Sequence, residues 1–195
     1  KDQVNLTDAA SRIMPTAGGG FEQAYNAQAG VDTATHLIVE QHVTDHTNDK
    51  QEVAPALARL DALPEVLGVV DALLADTGYH SQENLEHCEA AGAEPYIPAA
   101  RQQHNPPLAE RLADDPPAPT DDQPTPAARN AQRLRTRAGK ARYAQRKSTV
   151  ETVFGIIKHV LGFRQFLLRG LNAVQGEWAL VCLGWNLKRL FALKA

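Results

Sequence analysis

The chain has 195 residues, 43% of them hydrophobic and 22% charged, with a formal net charge of -3. That length and composition fit one substantial globular domain with room for an embedded insertion, and two cysteines exclude a disulfide scaffold. The small net charge hides a division: residues 1-126 carry six basic and 21 acidic side chains, net -15, whereas residues 127-195 carry fourteen and two, net +12. Such asymmetry either presents a nucleic-acid surface or lets the two halves neutralise each other inside one molecule.

Lys1 to Gly20 reads as an irregular lead-in ending in the flexible run Gly18-Gly19-Gly20, with no apolar signal segment. Two extended segments follow, Phe21 to Ala29 and His36 to Val43, and the turn chemistry between them predicts an antiparallel hairpin. Asp32 and His36 fall at that turn, where solvated turn residues are the simpler reading. Thr47-Asn48-Asp49 offers N-cap chemistry for an amphipathic helix over Lys50 to Leu63, with Val53, Leu57 and Leu60 on its apolar face. Asp45, His46 and Asp49 have metal-ligand types, but capping and solvation account for them.

Beyond Pro64, Ala72 to Ala75 reads as a buried strand that Asp76-Thr77-Gly78-Tyr79 ends. Ser81 caps a helix to about Ala91, and Glu94 to Pro98 supplies another strand, so the alternation predicts an α/β fold with parallel crossovers. Arg101 to Pro126 holds seven of the twelve prolines and the pairs Asp114-Asp115 and Asp121-Asp122. It reads as a flexible Pro/Asp-rich insertion with one short helix near Leu108 to Leu112. From Ala127 the chain turns helical and basic, with a break expected at Gly139. A following helix carries Glu151 above an apolar stripe of Val150, Phe154, Ile157 and Val160. A last helix, about Asn172 to Leu193, sets Trp178, Val181, Cys182, Trp185 and Leu190 near one face. Its most apolar stretch, Trp178 to Leu187, is interrupted by Gly184 and Asn186 and is too short to span a bilayer.

Glu151 and Glu177 are the only acids after residue 126. On a regular helix Lys147, Glu151 and Lys158 fall within about 40° of one another, so one carboxylate stands between two cations. That arrangement reads either as helix-stabilising salt bridges or as a metal-binding carboxylate in a phosphate-holding surface. The second reading needs another carboxylate, and Asp76 supplies it at the carboxyl end of an apolar strand, the edge where ligands gather in open α/β sheets. Two carboxylates on separate elements suit Mg²⁺, with positions left for water and phosphate oxygens. The sequence has no phosphate-cradling Gly-rich loop, zinc-type cluster or recognisable Ser or Cys nucleophile to compete with this reading.

Leu73-Leu74-Ala75-Asp76-Thr77-Gly78-Tyr79, Thr149-Val150-Glu151-Thr152-Val153-Phe154-Gly155-Ile156-Ile157-Lys158 and Gly162-Phe163-Arg164-Gln165-Phe166-Leu167-Leu168-Arg169-Gly170 closely resemble segments of the DDE transposases of bacterial insertion sequences. Tyr25 to Ala29 and Thr47 to Lys50 agree in order and spacing, so the resemblance spans nearly the whole chain. It implies an RNase H-like mixed sheet flanked by helices, in which three acidic residues bind two Mg²⁺ ions, with Mn²⁺ as substitute. Asp76 matches the second acidic position and Glu151 the third. Lys158 matches a DNA-contacting lysine, Lys147 stands where arginine is common, and Arg146 is its neighbour. Tyr143 is one residue out of register, Thr152 stands where proline is common, and His80 replaces an aromatic. The family's first acidic residue lies on a strand before the hairpin. No such strand is read ahead of Phe21, so the chain is expected to be an N-terminally truncated fragment, with Asp8 and Asp32 as weak substitutes.

The resulting expectation is a catalytic domain with residues 1-100 as its first part, 101-126 as the insertion and 127-195 as a basic helical part carrying Glu151. Its function would be metal-dependent DNA strand cleavage and transfer at element ends, with element and target DNA as partners and a homodimer in the synaptic complex. The alternative is a catalytically inactive DNA-binding remnant or regulator. The location expected is the bacterial cytoplasm, at the nucleoid, with no membrane partner.

Overall fold

The computed structural model describes residues 4-16, 19-101, 107-108, 114-117 and 124-194. The fold is mixed α/β and divides into two compact units, one formed by Lys1–Asp49 with Lys147–Ala195 and the other by Lys50–Arg146.

In the first unit, β1 (Arg12–Pro15) pairs antiparallel with β2 (Phe21–Ala24), placing Arg12 opposite Ala24 and Pro15 opposite Phe21. The expected irregular lead-in therefore contains a strand. Its glycines make a hairpin turn, with Gly19 and Gly20 at φ 80° and 109°, the left-handed region that favours glycine. Buried Ser11 fastens the start of β1 by donating to Asp8 O at 2.8 Å and sharing its hydroxyl with the Gln23 amide at 3.0 Å.

The predicted hairpin exists but begins later, because Phe21 to Ala24 is taken by β1. Its strands are β3 (Asn26–Val31) and β4 (Ile38–Thr44), in antiparallel register with Asn26 opposite Thr44. Asp32 closes the turn by accepting from the N–H and hydroxyl of Thr35 at 2.7 and 2.6 Å.

Two helices complete this core: α5 (Thr152–His159) and α6 (Leu171–Lys194), numbered after the four helices of the second unit. Val174, Trp178, Cys182 and Trp185, at spacings of four, four and three, form the buried face of α6 against Ile38, Val43, Val153 and Ile157. Phe154 stacks on Trp178 at 5.8 Å between ring centroids, and Phe163 and Phe166 lie at 6.1 and 6.5 Å. The expected stripe on the Glu151 helix is displaced. Thr149, Val153 and Ile157 are buried whereas Val160 is 63% exposed, because Lys147–Glu151 winds as a π-helical turn that shifts the inward face. Leu190, expected in the core, is 45% exposed.

The second unit alternates helix and strand as the sequence predicts: α1 (Val53–Asp61), β5 (Ala72–Leu74), α2 (Gln82–Ala90), β6 (Glu94–Tyr96), α3 (Pro126–Arg135) and α4 (Arg137–Arg146). β5 and β6 are parallel, with Leu73 opposite Pro95, and α2 is the crossover. Val53, Leu57, Leu85, Cys88 and Ile97 form the core. Ser81 caps α2, accepting from Asn84 N–H at 3.0 Å.

Two local expectations change. The residue capping α1 is Glu52, without a side-chain cap bond, and Asp49 instead accepts from the amides of Asn26 and Gln28 at 2.8 Å each. The helical break falls at Thr136, not Gly139: Thr136 ends α3 and its hydroxyl accepts from Gly139 N–H at 2.9 Å. Gly139 is needed for close approach, since a Cβ there would lie 1.8 Å from Arg133 O. The short helix expected near Leu108 to Leu112 lies, Leu108 apart, outside the described residues. Among the described residues, pairing comprises three two-stranded sheets.

Candidate functional site

Asp76 belongs to the second unit and stands two residues beyond β5, whose parallel pairing to β6 is prolonged by Ala75 N–H donating to Tyr96 O at 3.3 Å. Its backbone is extended, and Oδ1 accepts from Gly78 N–H at 2.8 Å, capping the 3-10 turn Thr77–Tyr79. Among the described residues Oδ2 has no hydrogen bond, so a half-buried carboxylate keeps one oxygen for a ligand. The turn behind it is fixed by buried Asn84, whose amide donates to Tyr79 O at 2.7 Å and Lys50 O at 2.8 Å. Strand end, cap and clamp together hold this carboxyl group in one rotamer region, which any ligating role requires.

Glu151 belongs to the first unit and closes the π-helical turn Lys147–Glu151. The residue is exposed while Thr149 and Val153 on either side turn inward. Wide π turns place one extra residue in the helical ladder and recur at functional sites. Glu177, the other acid of the basic segment, accepts from the N–H groups of Leu167 and Leu168 at 3.0-3.1 Å and holds that connection.

Lys147 and Lys158 are exposed on the same unit as Glu151. Lys158 makes no ion pair among the described residues. Its ammonium lies 5.9 Å from the centroid of the Phe154 ring, which Trp178 backs, so an aromatic platform rather than a salt bridge positions it. Arg146 ends α4 in the second unit, with its guanidinium 5.9 Å from the centre of Tyr143.

Much of the basic character of α3 and α4 is spent internally. Arg129 binds Glu89 and holds its carboxyl below the usual range. Arg133 donates to Pro95 O at 2.8 Å and covers the Tyr96 ring at 5.4 Å. Arg142 reaches Asp71 at 2.6 Å. At the start of α4, Arg137 N–H donates to Asp115 at 2.6 Å and its guanidinium faces Asp114 at 3.4 Å. Arg135 and Lys140 are exposed and carry no ion pair among the described residues. Neutralisation within the molecule, one of the two readings of the charge division, thus operates inside the second unit.

The remaining acids named from sequence have structural duties. Asp8 accepts the Tyr25 hydroxyl at 2.7 Å and Gly170 N–H at 3.3 Å, Asp45 pairs with Arg12 at 2.9 Å, and Asp32 and Asp49 serve the turns described above. Burial pushes the Cys88 and Cys182 thiols up to about 12, removing them as nucleophiles at neutral pH. Among the described residues no three Asp, Glu, His or Cys side chains gather as a metal-binding group, and no helix is long and apolar enough to cross a membrane. Carboxylate oxygens, with one free on Asp76, are nonetheless the donor type that hard divalent cations take.

The polar clamps at Asn84, Asn130 and Asn186 carried no sequence signal. No curated protein and no solved structure matches the chain. A model of the transposase DDE domain matches residues 5–187, and with nearly its whole length covered the chain belongs to that family.

Proposed function

We propose that the chain carries the chemistry of a transposase of the insertion-sequence kind on an RNase H-like scaffold, cutting DNA at element ends and joining the freed 3′ hydroxyl to target DNA. The family implies transposase-type DNA cleavage and transfer and generally employs divalent metal. The observation that carries the assignment here is Asp76: a carboxylate at the carboxyl end of a parallel strand, with one oxygen held by Gly78 N–H and the other free.

In this reading Asp76 and Glu151 each donate carboxylate oxygens to Mg²⁺, with Mn²⁺ as substitute. A divalent cation held there supplies Lewis acidity at the scissile phosphate. Lys158, whose ammonium lies over the Phe154 ring, and the exposed Lys147 take phosphate oxygens, and Arg146 contributes a guanidinium from α4. Arg135 and Lys140 add sequence-independent attraction for the duplex. Two copies acting on two element ends, in the bacterial nucleoid, complete the proposal.

Mn²⁺ titration followed by electron paramagnetic resonance tests the ligand set on this chain. Saturable binding in the wild type, weakened tenfold or more by Asp76→Asn and separately by Glu151→Gln, is the expected result. Binding indifferent to both substitutions overturns the assignment and leaves a DNA-binding protein without turnover as the better account.

A further inference from the structure

The connection from α5 to α6, residues 160-170, has neither helix nor strand, yet its backbone is held from several sides. Phe163 and Phe166 pack against the core around Trp178, and Tyr25 meets Phe166 edge-on at 6.3 Å between ring centroids. Gly170 N–H donates to Asp8 at 3.3 Å, and the N–H groups of Leu167 and Leu168 share the Glu177 carboxylate at 3.0-3.1 Å. Leu167 and Leu168 are nonetheless 76 and 51% exposed. A lone exposed leucine needs no explanation, but an adjacent pair on a fixed backbone is ordered before any partner arrives, which is the condition for tight recognition by a loop.

Charge selects the partner. Residues 152-176 contain Lys158, Arg164 and Arg169 and no Asp or Glu. All three cations are exposed and none has a carboxylate partner among the described residues; Arg164 donates instead to His159 Nδ1 at 3.1 Å. Arg164 and Arg169 bracket the leucines in sequence. The five residues of chain between them reach at most about 18 Å, a distance over which one DNA strand offers about five phosphates. A polyanion with apolar faces between its phosphates matches that order, and stacked bases are such faces. Two leucines carry too few CH₂ groups to hold a lipid surface, where even a single myristoyl chain binds marginally.

We infer that Leu167 and Leu168 form a wedge that enters between base pairs of duplex DNA while Arg164 and Arg169 hold phosphates on either side. Apolar wedges of this kind unstack a step and kink the duplex, and pyrimidine–purine steps yield most readily. Glu177 is the positioning residue, because it fixes the amides of both leucines. The wedge rests on the reading of the chain as one that acts on DNA, and adds to it a preference for DNA that opens easily. A mismatched duplex, its stack already loosened, should bind about three- to tenfold tighter than the matched one.

A duplex with 2-aminopurine in place of adenine at its TA steps, titrated with the full chain in EDTA, tests it. That base brightens when it loses its stacking, the readout needs no cleavage, and the anisotropy of an end label gives affinity in the same sample. The wild type should raise the emission about twofold or more at saturation. Leu167→Ala with Leu168→Ala should abolish the rise and the mismatch preference, keep matched-duplex affinity within about threefold and leave the circular dichroism spectrum unchanged. Arg164→Ala with Arg169→Ala should lower the salt slope by about 1.8. Should the leucine pair misfold, Leu167→Ser, at the more exposed position, must at least halve the rise. Saturable binding without a rise, a rise that the leucine variants keep, or a salt slope indifferent to the two arginines overturns the wedge and leaves the transposase reading standing. No binding to any duplex overturns both. Leucine-dependent sedimentation with anionic phospholipid vesicles, without unstacking, overturns the wedge in favour of a lipid surface.

Discussion

The carboxamide of Asn186 meets the backbone of Ile38 twice: Oδ1 accepts from its N–H and Nδ2 donates to its C=O, each at 2.8 Å across 148 residues of sequence. Asn130 repeats the relationship with Ile97 in the second unit, at 3.2 and 2.7 Å. Each unit thus finishes a strand edge with a helix asparagine that imitates a neighbouring strand. Gln175, Trp185 and Arg189 extend the device along β4 and its turn, to Val43 N–H, His36 O and Thr35 O.

Replacing Asn130, 2% exposed, by leucine strands the backbone N–H and C=O of Ile97 away from water. Unpaired buried groups cost about 1–3 kcal/mol each, so urea unfolding should show a loss of about 2–4 kcal/mol. Asn186→Leu should act in the same direction on the first unit. A loss under about 0.5 kcal/mol in both would mean that water or a local shift satisfies these edges.

Sequence periodicity located what is local. Ser81 and its helix, β5, the carboxylate after it and the exposed Glu151 all follow from neighbours within a few residues. Pairings between distant residues escaped it. Nothing in Arg12–Pro15 marks a strand until Phe21–Ala24 lies beside it, and which arginines of the row from Arg129 to Arg142 are neutralised stayed open because their partners, Glu89 and Asp71, lie 40 and 71 residues away. The π turn was equally illegible, since intrinsic preference does not distinguish one extra residue in a helix.

Two helical glycines should respond in opposite senses to alanine. At Gly139 the new methyl collides with Arg133 O, fixed by the α3–α4 corner, and a loss of about 3 kcal/mol or more is expected. At Gly155 in α5 an added Cβ meets nothing within 4 Å, so alanine should stabilise by about 0.5–1 kcal/mol. Thermal unfolding of the two variants reads both signs, and equal shifts would contradict the corner geometry.

The Tyr25–Asp8 hydrogen bond should set pH limits at both ends. The Tyr25 hydroxyl and nearby backbone N–H groups hold the Asp8 carboxyl below the usual range, so its stabilisation is complete above the unfolded carboxylate pKa and fades as pH falls through the folded one. Burial and Asp8 push the Tyr25 phenol up to about 12, so its contribution is complete below about 10 and is lost as pH rises toward 12. Tyr25→Phe should therefore differ most from wild type between about pH 5 and 9, and the phenol should titrate late by absorbance at 295 nm. A phenol titrating near 10 would show the bond to be absent in solution.

Lys158 and Arg129 separate DNA contact from architecture. Lys158→Ala should leave unfolding within about 0.5 kcal/mol, weaken duplex binding and lower the salt slope by about 0.9. Arg129→Ala removes the partner of Glu89 and should act chiefly on stability. An unchanged salt slope for Lys158→Ala would remove that lysine from the interface.

Asp115 accepts from the first N–H of α4 while Asp114 faces the guanidinium of the same residue, Arg137, so two carboxylates stand where a helix start and a cation would attract phosphate. Asp115→Asn retains an oxygen that can accept the Arg137 N–H and removes the charge. With Asp114→Asn added, duplex affinity at low salt should rise by about two- to fivefold, and the gain should vanish at high salt as screening shortens the reach of these charges. Fluorescence anisotropy with a labelled duplex measures both. Equal affinity for the variant and the wild type at every salt concentration would mean that DNA does not approach the start of α4, and the exposed Lys147 and Lys158 would then have to account for binding without it.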